Sequence, residues 1–361
     1  MPLTLEDIAR LSGVSRSTVS RVINADISVK EATRQKVLKV IQSINFQPNL
    51  AARSLATGRT NIIGLVIPAG VTALFVDPYF PIFIQGVSAA CNAHGYSVML
   101  WLAEPEFERR TINQILHNGL VDGVIVSSAL ITDPITISLS ESHMPFIQVG
   151  RNPNLDINFV DVDNTRASRE ATMHLFRLGR KSVATITGPL NQVAGFDRLQ
   201  GYQLAVQDRQ LPERPELVSE GDFTEMGGYT AMLRLLPQHP DAVFVASDMM
   251  AVGAIRAIRE ANLRVPEDIA IVGFDDIPTA AQMDPPLTTV RQPVRSMGAI
   301  AVETLIDLIA NPGVQTRHIL IATEMVIRSS CGALKSTTEG GDARKKSTIE
   351  TFIPMSNQAL H

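Results

Sequence analysis

The stretch TLEDIARLSGVSRSTVSRVIN, residues 4–24, contains two short helical patterns separated by a sharp turn. Thr4 can cap the first helix, and Asp7, three residues later, lies near the positive end of the helix dipole, in a variant of the capping box. Gly13 stands where the chain must leave that helix, because glycine adopts a left-handed conformation without steric cost. Ser15 is a good N-cap for a second helix. The pattern predicts a helix-turn-helix.

The two predicted helices separate apolar from polar side chains. The apolar set repeats at helical spacing and is expected to turn inward: Leu5, Ile8, Ala9, Val19, Val22 and Ile23. The second helix leaves a polar set outward: Arg16, Ser17, Ser20 and Arg21. Arginine can bridge O6 and N7 of guanine, and small hydroxyls near the N-terminus of a recognition helix can approach phosphates closely. The segment fits DNA recognition, although an ordinary capped helical hairpin with a solvated face would show the same pattern.

The composition bounds the class of protein. The chain has 361 residues, of which 45% are apolar and 19% charged, so two or three domains are expected. No run approaches the roughly 18 apolar residues of a membrane span, and the start lacks the basic and apolar regions of a signal peptide. Two cysteines, Cys91 and Cys331, cannot form a disulfide framework and lack the companion spacing of a zinc site. A reducing cytoplasm fits.

Charge is distributed unevenly along the chain. Residues 1–60 hold 9 Lys and Arg against 4 Asp and Glu, whereas residues 61–361 hold 23 against 32. These balances of +5 and -9 make up the net charge of -4. A basic head on an acidic body predicts that nucleic-acid binding is confined to one end.

Two further helices are predicted before the composition changes. Ser28-Val-Lys-Glu31 has the spacing of a capping box and would open a third helix, which completes a three-helix module. Pro48 ends that module, because proline moves the preceding residue out of the helical region. Asn49 to Gly58 begins with a cap residue and ends with a glycine, which predicts one short helix. A helix of about nine residues is unstable alone in water, so it would need a second copy of itself or DNA as partner.

From Asn61 onward, apolar runs alternate with amphipathic helical patterns. The predicted strands are 62–67, 96–101, 123–127 and 146–149, then 183–187, 242–246 and 269–273. The predicted helices are 81–94, 109–118 and 136–142, then 167–177, 196–209, 227–236 and 249–260. Such alternation is typical of parallel sheets covered on both faces, so two α/β lobes are expected, with a ligand cleft beyond the carboxyl ends of their strands.

The end of the chain carries a shorter pattern. The segment 287–293 follows the second lobe, and a helix at 298–310 leads to a last strand, predicted as one element at 317–327. The tail after it has little periodicity and is expected to be disordered.

The order and spacing of several motifs resemble the LacI family of bacterial transcription repressors over residues 3–330. Residues 14–24 resemble that family's recognition helix, and residues 49–58 resemble its hinge helix. Further landmarks are Asp163-Asn164, Gly188-Pro189, Arg198-Leu-Gln-Gly201, Ser247-Asp248, Val272-Gly-Phe-Asp-Asp276 and Pro286-Leu-Thr-Thr289. The resemblance implies an α/β protein with an N-terminal all-α helix-turn-helix head and hinge helix, followed by two Rossmann-like parallel-sheet lobes of periplasmic-binding-protein type.

The same resemblance implies the domain boundaries. Residues 1–48 would form the DNA-binding head, 49–60 the hinge helix and linker, 61–330 the two-lobe effector-binding and dimerisation domain, and 331–361 the tail. Lobe 1 is expected at about 61–161 plus 291–320, and lobe 2 at about 162–290 plus 321–330.

The resemblance also implies DNA contacts. Arg16 and Ser17 match the main base-reading positions, with Arg21 as a further base contact. Other matched DNA-binding positions are Thr4, Ser15, Thr18, Ser20, Asn24, Asn49 and Ala52. Leu55 matches the leucine that hinge helices of the family wedge into a central base step, a device that kinks the duplex at a cost of about a few kcal/mol, offset by the contacts the bend permits. Leu55 could alternatively be an ordinary buried leucine.

The cleft residues are implied in the same way. The segment Asp77-Pro-Tyr79-Phe80 matches one that stacks aromatic rings on the ligand in sugar-binding relatives. The further matched effector positions are Arg151, Arg198, Phe223, Asp248 and Asp275. Aromatic platforms with arginine and carboxylate forks would complement the ring faces and hydroxyls of a sugar. Each charged residue could instead form a surface ion pair.

The chain departs from the family pattern at two places. Gly150 replaces the Asp often found before the matching arginine, and residues 71–76 look like an insertion over the cleft.

The resulting hypothesis is a homodimeric regulator, cytoplasmic and associated with the nucleoid, that binds double-stranded operator DNA and a small effector, most simply a carbohydrate. The alternative is a soluble sugar-binding sensor without operator binding, which leaves the basic head unexplained. Catalysis is not expected, because the seven histidines are scattered and no metal-ligand, phosphate-loop or nucleophile motif is present. No cofactor, metal site or membrane partner is predicted.

Overall fold

A computed structural model describes residues 4–23, 26–46, 58–67, 71–102, 108–127 and 130–333. The chain divides into two compact units. Unit 1 comprises Met1–Arg166, Gly188–Arg198 and Gln292–Thr323, and unit 2 comprises Ala167–Thr187, Leu199–Arg291 and Glu324–His361. The predicted hinge helix at 49–58 lies outside the described residues except for Gly58, and so does the tail beyond residue 333.

Three helices form the head: α1 (Leu5–Ser12), α2 (Arg16–Ile23) and α3 (Glu31–Ser43). The capping box of α1 is confirmed, because the Thr4 hydroxyl accepts the Asp7 N–H while the Asp7 carboxylate accepts the Thr4 N–H. Gly13 is left-handed at φ 63°, as predicted. The Ser15 hydroxyl accepts the Thr18 N–H at 3.2 Å, which confirms the N-cap of α2.

The predicted capping box at Ser28 is wrong. The N-cap of α3 is Lys30, and no side chain makes a capping hydrogen bond there. The Ser28 N–H instead donates to the Asp26 carboxylate at 2.8 Å. A nearby aspartate thus competes for the local backbone donor and forms a turn before the helix.

Unit 1 contains a six-stranded parallel sheet. Its strands are β1 (Ile62–Ile67), β2 (Ser97–Leu102), β3 (Gly123–Ser127), β4 (Phe146–Val149), β5 (Phe159–Val162) and β11 (His318–Ile321), in the order β11-β5-β4-β3-β1-β2. Its helices are α4 (Val71–Val76), α5 (Tyr79–Ala93), α6 (Glu108–His117), α7 (Pro134–Ser140) and α12 (Val294–Ala310), with α8 (Asn164–Arg177) and α9 (Val193–Asp208) divided between the units. The central strands β1 and β3 are almost completely buried, as expected for a parallel sheet covered on both faces.

Unit 2 repeats this plan. Its strands are β6 (Val183–Thr187), β7 (Val218–Glu220), β8 (Ala242–Val245), β9 (Ala270–Asp275), β10 (Thr288–Arg291) and β12 (Glu324–Val326), in the order β12-β10-β9-β8-β6-β7. Helices α10 (Glu225–Leu235) and α11 (Asp248–Glu260) pack beside the sheet. Only β12 is antiparallel to its neighbour among these described strands. The predicted head and two parallel-sheet lobes are therefore confirmed.

Three strands, β5, β7 and β10, were not predicted from the sequence, and two more, β11 and β12, were predicted as one. Strand β5 was not predicted because it contains Asp161, a charged residue that is only 4% exposed, and β7 was missed because it has three residues. The single strand predicted at 317–327 is wrong. It is two strands, β11 in the sheet of unit 1 and β12 in the sheet of unit 2, with Ala322 and Thr323 between them.

Glycines allow α10 and α11 to approach closely. A Cβ on Gly228 would lie 2.0 Å from the Met250 carbonyl oxygen, so Gly228→Ala should force two backbones apart. We expect a loss of about 1–3 kcal/mol in the free energy of unfolding, measured by urea titration. Gly227→Ala is the matched control, because the atoms nearest to its Cβ belong to the Asp222 carboxylate and not to a backbone. Equal losses for the two variants would contradict this account.

Candidate functional sites

The head presents its polar side chains on an outward face. Its core is formed by Ile8, Val19, Val22 and Val37, which are at most 4% exposed. Burial of the valines of α2 leaves Arg16, Ser17 and Arg21 exposed, and Thr18 and Ser20 partly exposed. The predicted inward and outward faces of the recognition helix are both present.

Hydroxyl groups cluster at the start of α2. The Ser15 hydroxyl lies 2.8 Å from those of both Ser17 and Thr18. A helix N-terminus has unsatisfied N–H groups and a positive partial charge, so hydroxyl donors there can contact a phosphate oxygen. This arrangement suits backbone contacts by Ser15 and Thr18.

Arg16 is held near the same surface by an exposed ion pair. Its Nε lies 2.8 Å from Glu6 Oε1, and the two side chains are 68% and 62% exposed. Such pairs contribute only about 0–1 kcal/mol, so Arg16 can exchange this partner for a base at little cost. Thr4 is occupied by its capping interaction, which also lowers the pKa of Asp7. The predicted contacts Asn24, Asn49, Ala52 and Leu55 lie outside the described residues.

In unit 1, the first effector candidates lie at the start of α5, where Asp77 precedes the helix and Tyr79 and Phe80 begin it. The Asp77 carboxylate accepts the Tyr79 N–H at 2.9 Å, and burial raises the pKa of Asp77. The Tyr79 ring lies edge-on to Phe80, at 5.5 Å between centroids, and nearly parallel to Phe83 at 6.3 Å. Residues 71–76, which resemble an insertion, form helix α4 just before Asp77.

The two arginine candidates of unit 1 belong to one polar cluster. Arg151 forms a two-pronged ion pair with Asp197, in which Nε lies 2.9 Å from Oδ2 and Nη2 contacts Oδ1. Arg198 is 5% exposed and donates from Nε to Asn164 Oδ1 at 2.9 Å. The sequence did not identify Asp197 as a site residue, because its partner is 46 positions away.

Asp161 connects the two arginines and was also missed. Its carboxylate accepts the Arg151 N–H at 2.9 Å and the Asn164 side-chain amide at 3.1 Å. Burial, with a smaller contribution from Asp197, raises the pKa of Asp161 to about 6. The carboxylate is therefore ionised at neutral pH but takes up a proton under mildly acidic conditions.

This pKa predicts a pH-dependent contribution to stability. The folded-state pKa of Asp161 lies above its ordinary value of 3.8. Asp161 therefore stabilises the fold at pH values below 3.8, and this stabilisation is lost as the pH rises through about 6. Relative to Asp161→Asn, the wild-type chain should gain roughly 2 kcal/mol of unfolding free energy when the pH falls from about 7 to about 4. Urea titrations at the two pH values measure this difference, and Asp163→Asn, an exposed neighbour, should retain the wild-type dependence. A pH-independent difference between wild type and Asp161→Asn would contradict the assignment.

The candidates of unit 2 lie near the carboxyl ends of its strands. Phe223 follows β7 and Asp275 ends β9, and both have positive φ angles, 65° and 113°, which non-glycine residues rarely adopt. Asp248 begins α11 and is fully buried, and its carboxylate accepts the Thr289 hydroxyl at 2.6 Å and the Ile277 N–H at 3.0 Å. Burial and the neighbouring Asp275 raise the pKa of Asp248. In open α/β sheets this edge is where ligands bind.

In the described part of the chain, no group of three or more His, Cys, Asp or Glu residues could hold a metal ion. Cys331 lies 3.4 Å from His174 Nε2, but the cysteine is 1% exposed and burial lowers the pKa of the histidine. No helix in the described ranges is long and apolar enough to cross a membrane.

Comparison with known proteins gives matches over nearly the whole chain. Residues 4–49 match the family described as bacterial regulatory proteins, lacI family, and residues 172–331 match the periplasmic binding protein-like domain. The HTH-type transcriptional regulator CelR of Thermobifida fusca is 38% identical over 332 residues, which cover 91% of this chain and 98% of CelR.

Two solved structures extend this similarity to the fold. A CelR–cellobiose complex superposes with a TM-score of 0.73 at 36% identity, covering 91% of this chain and 99% of that one. A lac repressor dimer bound to operator and the anti-inducer ONPF gives a TM-score of 0.81 at 30% identity, covering 92% and 99%.

Proposed function

The chain belongs to the LacI family of bacterial regulatory proteins, and from this membership we propose that it is a sequence-specific DNA-binding transcriptional repressor controlled by a small-molecule effector. The observation that carries the proposal is the exposed face of α2, which bears Arg16, Ser17 and Arg21 on a helix that Ser15 caps. A soluble sensor would have no use for such a face on a basic head. This observation favours operator binding over the sensor reading.

In the head we propose that Arg16 and Ser17 read bases, assisted by Arg21. The DNA backbone would be contacted by Ser15, Thr18 and Ser20, and also by Thr4, the N-cap of α1. The roles of Asn24, Asn49, Ala52 and Leu55 remain proposals based on the family resemblance.

We propose a sugar as the effector, supported by the CelR relative that was solved with cellobiose. Tyr79 and Phe80 would supply ring faces from unit 1, and Phe223 would supply one from unit 2. Arg151, Arg198, Asp77 and Asp275 would supply polar contacts. Asp248 would supply a further polar contact from unit 2, and its carboxylate also accepts the Ile277 N–H and the Thr289 hydroxyl.

The test of this proposal is binding to DNA from the chain's own promoter region. Fluorescence anisotropy at physiological salt should show saturable binding that excess random duplex does not displace. Phosphate contacts alone give salt-sensitive binding without sequence preference, so equal competition by both duplexes would refute operator recognition. We propose a cytoplasmic location and no catalytic activity, consistent with regulatory relatives.

We expect a homodimer, because two heads related by two-fold symmetry would match the half-sites of a near-palindrome. The tail lacks a leucine heptad that could join dimers into a tetramer. Light scattering should therefore give about twice the chain mass of 39.2 kDa. A mass of four chains would contradict this prediction.

A further inference from the structure

A hydrogen-bonded clamp lies where the chain that comes from the head enters the sheet of unit 1. The Asp122 carboxylate accepts three hydrogen bonds there: from the Thr60 N–H at 2.6 Å, the Thr60 hydroxyl at 2.9 Å and the Asn61 N–H at 2.9 Å. The Asp122 N–H in turn donates to the Ile62 carbonyl at 2.8 Å. One side chain therefore fixes both residues that precede β1.

The position of the clamp follows from the sheet. Asp122 immediately precedes β3, and β3 runs parallel to β1 as its direct neighbour, so both strands begin at the same edge. The chain before β1 has positive φ angles at Gly58 (68°) and Asn61 (53°). Gly58 and Asn61 stand at the two ends of this segment, and the clamp holds Thr60 and Asn61 within it.

Residues 58–61 are not deeply buried. Gly58 and Arg59 are exposed, and Thr60 and Asn61 are only partly buried. A cavity of about 690 Å³ opens beside them, and its lining includes His117, Asp122 and Ile309. Three hydrogen bonds to the Asp122 carboxylate hold this segment, together with one from the Ser97 N–H to the Asn61 carbonyl at 2.9 Å.

Unit 2 contains the same device without a head attached. Asp241 immediately precedes β8 and accepts the Lys181 N–H at 2.7 Å and the Ser182 N–H at 2.9 Å, just before β6. The chain that enters this second clamp comes from α8, which begins in unit 1 and ends in unit 2, and not from the head. Both clamps hold neighbouring parallel strands together. The clamp at Asp122 also holds the connection to the head, and the clamp at Asp241 does not.

We propose that Asp122 is the positioning residue that couples the sheet of unit 1 to the DNA-binding head, an inference that rests on the proposed function. When the clamp is intact, the connection to the head begins from one fixed point at the start of β1, and each head of a dimer is presented at a defined place. When it is lost, the second head samples a larger volume, and its effective concentration at the second half-site falls. Operator affinity then decreases although every DNA-contacting side chain is present.

The test compares Asp122→Asn with Asp241→Asn in the full chain. In each case the amide keeps the size of the side chain but turns one acceptor oxygen into a donor that faces a backbone N–H. We expect Asp122→Asn to weaken binding to a labelled promoter duplex by about tenfold, the loss typical of hydrogen bonds to a charged group. Asp241→Asn should lower the thermal unfolding midpoint about as much as Asp122→Asn does. It should leave operator affinity within about twofold of the wild-type value.

A second variant covers the case in which Asp122→Asn does not fold. Thr60→Val removes the hydroxyl hydrogen bond of the clamp, together with the longer one that this hydroxyl accepts from the Ile62 N–H at 3.2 Å, and should weaken operator binding by about threefold. Operator affinities that match wild type in Thr60→Val, or that fall equally in Asp122→Asn and Asp241→Asn, would overturn the inference. If the wild-type chain itself does not distinguish promoter from random duplex, the proposed function fails, and the inference fails with it.

Discussion

Arg16→Ala should reduce operator affinity by roughly 30-fold to more than a thousandfold. An arginine that bridges a base edge contributes about 1–3 kcal/mol of discrimination, and a dimer on a near-palindrome makes the contact twice. The structure allows this use because Arg16 is exposed and its only resolved partner is Glu6, at 2.8 Å in a surface pair. Equilibrium binding to the promoter duplex and to a random duplex measures both affinity and specificity.

Two controls separate base reading from simple charge. Arg10→Ala removes the same charge from α1, where Arg10 pairs with Asp7 at 3.2 Å, and should change affinity for both duplexes alike. Arg16→Lys keeps the charge but loses the planar fork, so it should retain the salt dependence and lose sequence preference. If Arg16→Ala and Arg10→Ala weaken binding equally, Arg16 does not read a base.

Arg198→Ala should abolish the thermal shift produced by the effector while leaving operator binding in place. The guanidinium is buried in unit 1 and bonded to Asn164, in a cluster that also contains Asp161 and Asp197. Hydrogen bonds from a charged group to a bound sugar are worth about 1.5–3 kcal/mol each, so ligand affinity should fall at least tenfold. A thermal-shift screen of the wild-type chain against sugars, with cellobiose included, identifies the probe.

Arg180→Ala is the control for loss of a structural arginine. Arg180 donates to the carbonyls of Asp241 and Pro266 in unit 2, so its removal should lower stability and spare the sugar-induced shift. A variant Arg198→Ala that lost operator binding but kept its thermal shift would show that Arg198 belongs to a different site.

The head could be predicted almost completely because its determinants are local. Thr4 and Asp7 lie three residues apart, and so do Ser15 and Thr18, and Gly13 has to adopt a conformation that few other residues tolerate. The one error, at Ser28, arose where two local acceptors competed. Asp26 took the backbone donor, and sequence spacing alone does not decide such a competition.

The lobes were predictable where strands are continuously apolar and less so elsewhere. The strand containing Asp161 was missed because a buried charge is rare unless it is compensated, and its compensation comes from Arg151 and Asn164 in the folded protein. The break between β11 and β12 depends on which sheet each segment joins, a tertiary property. For the same reason Asp197 could not be identified as the partner of Arg151, because the two residues come together only in the folded protein.

The most direct test of regulated operator binding is one titration. The sugar that shifts the unfolding midpoint of the wild-type chain is added to the preformed complex of the full chain with its promoter duplex, and operator affinity is followed by anisotropy. If the effector and the DNA bind coupled sites, affinity should change by about 5-fold to 150-fold, corresponding to 1–3 kcal/mol of coupling. A ligand has this effect only if it binds the two states of the protein with different affinity. Saturation with the sugar at unchanged operator affinity would contradict the account.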